Sequence, residues 1–294
     1  MIKKYFYLLA IGLIWGSQFL FQQAAVDDLP PVWVGAGRAT VGALTLIILT
    51  ALFGIKSKSG RLGSFNFIAL LEATIPFVLV AWGQQYLDTA VTAILMGTIP
   101  LFTITLSPLV IKGTRITSAG MASVIIGFCG LLLLFYPQLV SGTGHTSLLA
   151  ALAIIVASAC FATGLLMLKK INDEHPIIVA RNVLICSSIQ LLMVASLFQL
   201  PWTLELTSAS ATSILYLGVM CAGVVYFLYM ALIAEAGPVF ASMNNYLVPL
   251  IGVLLGALIN QEVLPSTAWL ALGVIITALA INQLFDKSAA RATA

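Results

Sequence analysis

The chain has 294 residues, of which 61% are hydrophobic and only 8% are charged. A soluble domain is roughly half apolar and about one-quarter charged, so this composition is typical of an integral membrane protein. Ten crossings of about 20 residues would use about 200 positions and leave about 90 for every loop and tail, which excludes a separate soluble catalytic domain. The net charge is +3, and the 13 basic residues are scattered along the chain, so no nucleic-acid partner is indicated.

Ten apolar segments follow one another, each bounded by charged residues, proline or glycine. They cover residues 5–26, 32–54, 64–85, 89–111, 117–136, 147–168, 177–200, 211–233, 237–260 and 265–285. The first segment also fits a signal peptide cleaved near Ala24 and Ala25, but a stripe of Trp15, Gln18 and Gln22 favours a retained helix. The predicted fold class is all-α integral membrane, with ten transmembrane helices.

Basic residues outside the membrane sort completely to one side. All of them face the cytoplasm if both termini are cytoplasmic, as the positive-inside rule requires. They are Lys3, Lys4, Lys56, Lys58, Arg61, Lys112, Arg115, Lys169, Lys170, Lys287 and Arg291. The charged residues of the opposite side are acidic, for example Asp27 and Glu205. The sequence therefore predicts that both termini are cytoplasmic.

An internal repeat relates the two halves of the chain. Residues 82–117 align with residues 231–266 without a gap, and proline and leucine positions match. The predicted halves are residues 1–140 and 145–294, with five helices each. An odd number of helices inverts the second half in the bilayer, a plan that recurs in secondary transporters whose substrate binds near the midplane.

Three charged residues lie within apolar segments: Arg38, Glu72 and Arg181. A charge at the bilayer centre costs at least about 2.5–3.5 kcal/mol on insertion scales, so such residues are functional candidates. Arg38 is predicted to contact an anion or to pair with Glu72, whereas Arg181 lies near the inner end of its helix and can snorkel. Apolar surroundings favour a protonated carboxyl, so Glu72 is the candidate for proton coupling. A fixed counter-ion and a contact for a substrate amine are its alternatives.

Uncharged polar residues add further candidates for substrate contacts. These are Trp15 and Gln18 in the first helix, Tyr226 in the eighth, and Asn244 and Asn245 in the ninth. Buried polar side chains in lipid need partners, so these faces are predicted to point into the bundle. Hydrogen bonds that only join neighbouring helices are the alternative for each of them.

Two prolines occupy equivalent positions in the predicted repeat, Pro100 in the fourth helix and Pro249 in the ninth. A proline inside a helix bends it and frees a carbonyl, so both are predicted gating positions. Passive kinks inherited by duplication are the alternative.

No cofactor or metal site is predicted. The four cysteines lie in apolar runs without metal-ligand spacing, and His145 and His175 lie in loops on opposite sides. Nucleotide-binding and catalytic motifs are absent from the sequence. Small-residue faces at Gly12 and Gly252 are weak indications of dimerisation, so the expected state is a monomer or a weak homodimer. The expected partners are a small-molecule substrate and membrane lipid.

Several short motifs, taken in order, resemble the ten-helix EamA-type exporters of the drug/metabolite transporter superfamily. They are Trp15-Gly16-Ser17-x-Phe19, then Arg38, then Thr89-Ala90-x-x-Ala93 running to Pro100, and Ala241-Ser242 running to Pro249 and Glu262. The resemblance implies an alternating-access carrier with a central cavity, which often exports amino acids or related metabolites. Many members carry a Glu just after the fourth helix, where this chain has Lys112-Gly113-Thr114.

The sequence therefore predicts an inner-membrane secondary transporter that exports a small metabolite, with proton coupling through Glu72. A facilitative carrier and an exporter of toxic compounds without proton coupling are the alternatives within the same class. From other classes, a channel and an intramembrane enzyme acting on lipid are the alternatives. The enzyme is disfavoured because the residues inside the bilayer supply no reactive pair.

Overall fold

The computed structural model describes residues 2–57, 62–87, 89–134, 136, 140, 147–171, 173–198, 200, 203–248, 250–251 and 266–292. Throughout these residues the regular structure is helical and contains no strand, which confirms the predicted all-α class. Six helices among them are long and apolar enough to cross a membrane: Lys3–Val26, Pro31–Leu52, Gly63–Gly83, Leu148–Leu168, Pro176–Phe198 and Ser208–Ala236. Shorter apolar helices cover Ile94–Val110, Ser118–Leu134 and Trp269–Ala278.

The helices are numbered in chain order, and two π-helical segments are named separately. The first half contains α1 (Ile2–Val26), α2 (Pro31–Leu52), α3 (Leu62–Ala69), π1 (Leu70–Thr74), α4 (Ile75–Gly83), α5 (Thr89–Met96), α6 (Ile99–Val110) and α7 (Ser118–Leu134). The second half contains α8 (Leu148–Leu168), α9 (Pro176–Phe198), α10 (Ser208–Tyr216), π2 (Leu217–Val224), α11 (Val225–Ala236), α12 (Pro238–Ser242) and α13 (Ser266–Ala292). Residues 244–248 and 250–251 are also helical.

Local sequence signals explain where several helices begin. Pro31 opens α2, where the missing N–H of proline leaves no hydrogen bond unmade. The Ser147 hydroxyl accepts from the N–H of Ala150 and caps α8. Thr207 and Ser210 form a reciprocal capping box at the start of α10.

The third and eighth predicted helices each contain a wide, π-helical turn that the sequence did not predict. The Ile75 N–H bonds to the carbonyl of Leu70, and the Val225 N–H bonds to that of Met220, five residues back in both cases. The offset that aligns residue 82 with residue 231 is 149, and it carries π1 onto residues 219–223, inside π2. Such turns are rare and are frequent at functional sites, so these two helices are the first places to look for a site.

The helices of one half pack against those of the other. Helix α2 contacts π2 and α9, whereas α9 contacts α3 and π1. Helix α1 contacts α10 and α11, and α8 contacts π1 and α4. Glycine allows the closest of these approaches, because a Cβ added at Gly218 would lie 2.3 Å from the Cβ of Val41 on α2. The core therefore lies where the two halves cross.

The predicted fourth helix, residues 89–111, is divided into α5 and α6 by a turn at residues 97 and 98. Pro100 lies in the first turn of α6 and not in a helix interior, so that part of the prediction is wrong. Proline is favoured there because a first-turn N–H has no partner within the helix. Pro108 lies inside α6. Pro249 lies outside the described residues.

Gly12 packs within the chain. A Cβ added there would lie 2.7 Å from Cδ1 of Ile251 and 3.7 Å from Cβ of Leu247. This glycine therefore lies in the contact between α1 and the helical residues 244–248 and 250–251, and it is not a free face for a second copy. Gly252, the other predicted dimerisation position, lies outside the described residues.

Candidate functional site

A small cavity of about 40 Å³ lies between helices from both halves of the chain. Its wall is formed by Trp15, Gln18, Phe19, Gln22, Arg38, Pro76, Phe77, Val80, Met96, Ile99, Phe161, Tyr229, Asn245 and Val248. This volume holds a few water molecules. The helices must therefore rearrange before a metabolite can enter.

Arg38 is the charged residue on this wall, and its side chain is only 7% exposed. Its guanidinium donates to Oε1 of Gln18 at 2.8 Å and to Oε1 of Gln22 at 3.2 Å. A third, longer bond of 3.4 Å reaches the carbonyl of Cys221. The guanidinium carbon also lies 4.5 Å from the ring centroid of Phe77, in cation–π contact. Neutral groups therefore hold this cation in place.

Trp15 joins the cavity to π2. Its indole Nε1 donates to the carbonyl of Cys221 at 2.8 Å, and its ring packs against that of Tyr229 with centroids 5.0 Å apart. The Val225 N–H bonds to Met220, five residues back, and leaves the Cys221 carbonyl to Trp15 and Arg38. The π-helical turn therefore supplies a main-chain acceptor beside the cavity.

Glu72 is fully buried but is not on the cavity wall. Its carboxyl packs against α8, because a Cβ added at Gly164 would lie 2.7 Å from Oε2. Neither carboxyl oxygen has a hydrogen-bond partner among the described residues. The predicted alternative of an ion pair with Arg38 is therefore not formed in this conformation.

Tyr226 forms a hydrogen bond to the main chain of π1 and does not line the cavity. Its hydroxyl donates to the carbonyl of Glu72 at 3.0 Å. Pro76, four residues after Glu72, has no N–H, so this carbonyl cannot make its usual helical bond. The tyrosine therefore satisfies the acceptor that the proline frees.

The two asparagines separate. Asn245 lies on the cavity wall, and its Nδ2 donates to the carbonyl of Ser242 at 2.8 Å. Asn244 is fully buried elsewhere, with its Oδ1 3.6 Å from the position of a Cβ added at Gly12. Neither polar atom of the Asn244 side chain has a hydrogen-bond partner within the described part of the chain.

The structure thus brings Trp15, Gln18, Arg38 and Asn245 together on one wall, whereas Glu72, Tyr226 and Asn244 lie behind it. The predicted substrate contacts did not include the aromatic wall residues Phe19, Phe77, Phe161 and Tyr229, nor Gln22, although Gln22 was recognised on the polar stripe of the first helix. Gln22 was detectable, because it lies one helical turn from Gln18 on the same polar stripe. The aromatic residues carried no such signal, because phenylalanine is common on any buried helix face.

Arg181 takes no part in this cavity. Its guanidinium donates to Oδ1 of Asn182 at 3.1 Å and to the hydroxyl of Thr50 at 3.4 Å. This partly buried residue therefore joins α9 to the end of α2.

Comparison with known proteins identifies the family. Residues 2–136 and 148–283 each match the EamA-like transporter family. The protein named "uncharacterized inner membrane transporter YedA" of Escherichia coli strain K12 is 27% identical over 281 residues, covering 94% of this chain and 89% of YedA. Protein PagO of Salmonella typhimurium is also 27% identical and covers 92% and 91% of the two chains. The "uncharacterized transporter YoaV" of Bacillus subtilis is 22% identical, with 89% and 90% covered.

A solved crystal structure shares the fold, with a TM-score of 0.78 over 97% of this chain and 98% of the other. Their sequence identity is 15%, so this likeness concerns the fold alone. The relatives named as inner membrane transporters and the six long apolar helices agree on a multi-pass protein of the inner membrane. With both halves matched, the chain belongs to the EamA-like transporter family and is a membrane transporter.

Proposed function

We propose that the chain is a secondary transporter that exports a small metabolite, such as an amino acid or a derivative of one, by alternating access. Two inverted halves, residues 1–140 and 145–294, move about the cavity, with ten helices and both termini in the cytoplasm. The observation that carries this proposal is the shared wall. Trp15 and Arg38 come from the first half, and Tyr229 and Asn245 come from the second. Relative movement of the halves would therefore open and close the cavity.

The small volume of the cavity supports an alternating mechanism over an open channel. A channel needs a continuous water-filled path, whereas this cavity of about 40 Å³ lies among buried side chains. A carrier passes through a contracted state between its two open states. Saturable flux that is stimulated by substrate on the opposite side distinguishes a carrier from a channel.

Proton coupling is assigned to Glu72. A buried carboxyl without a hydrogen-bond partner favours its protonated form, and hydration on opening would let it release the proton. The main-chain carbonyl that Pro76 frees belongs to Glu72 itself, and it accepts from the hydroxyl of Tyr226 on α11, the helix that also carries Tyr229 of the cavity wall. A change at the carboxyl can therefore reach the cavity through one helix.

Glu72→Gln tests the coupling, because glutamine has nearly the shape of the protonated carboxyl but cannot release a proton. In proteoliposomes we expect the variant to retain substrate counterflow and to lose transport driven by a pH gradient. Glu235→Gln is the matched control, because Glu235 is exposed on α11 and should behave as the parent chain does. Full activity of Glu72→Gln with unchanged pH dependence would indicate a facilitative carrier or another coupling residue.

The substrate and direction are tested by comparing metabolites in the medium of cells that express the parent chain or Glu72→Gln. Export predicts compounds that accumulate outside only with the parent chain. If the parent chain moved only added toxic compounds into the medium, and no metabolite of the cell, the drug-exporter alternative would be favoured. Consumption of a lipid by the purified protein, without flux, would favour the enzyme.

The orientation is tested by cysteine labelling in a background without native cysteines. Lys56→Cys should react with an impermeant maleimide only after the membrane is opened, and Asp27→Cys should react in intact spheroplasts. Both parent side chains are exposed, so neither substitution disturbs packing. The reverse pattern would contradict cytoplasmic termini. We further propose that the chain is a monomer or a weak homodimer, and the mass of the detergent-purified protein distinguishes the two.

A further inference from the structure

Arg38 presents a buried positive charge that has no negative partner among the described residues. Its hydrogen-bond acceptors are two side-chain amides and one main-chain carbonyl, all neutral. The Nε–H of this guanidinium is buried and has no acceptor among the described residues. A guanidinium has five N–H donors, so part of its donor capacity is unused. Burial of an unpaired charge is unfavourable, and an anion in the cavity would relieve it.

The remainder of the wall does not neutralise this charge. Its other described residues are amides, aliphatic or thioether side chains and aromatic rings, and no carboxylate is found among them. Glu72, the acid of the same region, lies behind the wall against Gly164 and is not bonded to Arg38. The cavity is therefore a positively charged site in surroundings of low dielectric constant.

The apolar lining indicates the rest of the ligand. Phe19, Phe77, Phe161, Trp15 and Tyr229 surround the space next to the guanidinium. A flat apolar or aromatic body fits such a lining. An ammonium group would face the positive charge of Arg38 without any carboxylate to accept it, so a cation is disfavoured and a zwitterion gains less than an anion.

The charge also limits the kind of anion. A carboxylate carries one negative charge and two oxygens that match the planar guanidinium. A phosphate monoester carries about −1.5 to −2 at neutral pH and would leave excess charge in the cavity. The single guanidinium is therefore matched by a monocarboxylate.

We propose that the cavity binds a monocarboxylate with an apolar or aromatic body and no ammonium group, and that Arg38 is the residue that recognises its carboxylate. This inference rests on the proposed function, because it names the substrate class of the same cavity. The inference narrows the proposed substrates from amino acids and their derivatives to derivatives that keep the carboxylate and lack the ammonium group.

Ligand-induced thermal stabilisation of the detergent-purified chain tests the inference without a membrane gradient. The probes are 3-phenylpropionate, phenylalanine, phenethylamine and phenyl phosphate, which share one ring and differ in charged groups. We expect 3-phenylpropionate to bind at least about tenfold more tightly than phenylalanine, because both present a carboxylate to Arg38 but phenylalanine must also bury an ammonium group that no carboxylate among the described wall residues accepts. Leaving a buried polar group unsatisfied costs about 1–3 kcal/mol, and more for a charged group, which corresponds to tenfold or more in affinity. Phenethylamine should give no shift.

Three outcomes with the parent chain would overturn the inference. These are equal or tighter binding of phenethylamine or phenylalanine, tighter binding of phenyl phosphate, and no stabilisation by 3-phenylpropionate or longer aliphatic carboxylates. The last is judged up to about 10 mM, tenfold above the usual upper limit of substrate KM values. Because this comparison uses only the parent chain, it stands even if the Arg38 variants fail to fold.

Variants then assign the binding to Arg38. We expect Arg38→Gln to weaken carboxylate binding about ten- to hundredfold, and Arg38→Lys to recover only part of it, because lysine keeps the charge but lacks the planar fork. Arg181→Gln is the matched control and should bind as the parent chain does, because Arg181 lies off the cavity. Unchanged binding in a folded Arg38→Gln would overturn the assignment.

The tests separate this inference from the proposed function. Carboxylate binding without any flux in proteoliposomes would refute transport and leave the binding assignment intact. Flux of an amine or a zwitterion, in preference to the matched carboxylate, would support a transporter and overturn the anion site. Loss of pH dependence in Glu72→Gln affects neither measurement.

Discussion

Gly164→Ala probes the contact between α8 and the segment that carries Glu72. The added methyl group would lie 2.7 Å from Oε2, 2.9 Å from Cβ and 3.0 Å from Cα of Glu72. The carboxyl oxygen can rotate away, but Cβ and Cα are fixed to the main chain. The two helices must therefore separate by several tenths of an ångström, or the chain must store strain.

The size of the expected destabilisation is obtained by comparing Gly164→Ala with a matched control variant. Gly273→Ala on α13 places its methyl group where no heavy atom of the described residues lies within 4 Å. Both substitutions gain the same helix propensity, about 0.5–1 kcal/mol, so the difference between the two variants isolates overpacking. Overpacking of a filled core costs about 1–3 kcal/mol. At about 2–4 °C per kcal/mol, the melting temperature of Gly164→Ala should lie several degrees below that of Gly273→Ala.

Thermal unfolding of both purified variants in the same detergent and at the same scan rate is the assay. A double variant with Glu72→Ala refines it, because this change removes the oxygen contact but leaves the contacts of Cβ and Cα. The expected coupling is therefore partial, with some of the Gly164→Ala destabilisation retained. Equal melting temperatures of Gly164→Ala and Gly273→Ala would refute the reasoning, because α8 would then not lie this close to Glu72.

Three further substitutions test other contacts. Gly218→Ala should be more destabilised than Gly164→Ala in the same melting assay, because its Cβ would lie 2.3 Å from Cβ of Val41, and a mild effect would contradict the close approach of α2 and π2. Trp15→Phe removes the 2.8 Å bond to the Cys221 carbonyl and should cost about 1 kcal/mol of unfolding free energy as well as ligand affinity. Tyr226→Phe removes the 3.0 Å bond to the Glu72 carbonyl at a similar cost in unfolding free energy. Because Tyr226 is not on the cavity wall, we expect a lower melting temperature with unchanged ligand binding. Weaker ligand binding with an unchanged melting temperature would place Tyr226 in the cavity.

The sequence predicted where some helices begin, because proline is favoured in the first turn of a helix. Pro31 and Pro176 begin α2 and α9 within a residue of the predicted boundaries. The division of the fourth predicted helix into α5 and α6 was harder to predict from the sequence. Gly97 and Thr98 lie within an apolar run, and only the turn that they form distinguishes Pro100 at a helix start from Pro100 in an interior.

The site was predicted in part because polarity in a membrane segment is informative and apolar lining is not. Arg38 and Gln18 were recognised as polar side chains among apolar ones, and they meet on the cavity wall. The wide turns of π1 and π2 have no such signal in the residues that form them. They decide that Glu72 lies against Gly164 and that the Cys221 carbonyl lies beside the cavity. Contacts of this kind depend on helix register, which periodicity alone does not specify.

The two π-helical segments hold the halves together reciprocally. The offset of 149 that aligns the repeats carries Glu72 onto Cys221, and both carbonyls accept a side-chain hydrogen bond from the other half. Tyr226 of the second half donates to Glu72, and Trp15 of the first half donates to Cys221. When one half moves relative to the other, these two hydrogen bonds must either be kept by a matching shift of their partners or be broken. Because Trp15 lies on the cavity wall and Tyr226 bonds to the residue proposed to hold the proton, the same pair of bonds would connect ligand occupancy with protonation in the proposed mechanism.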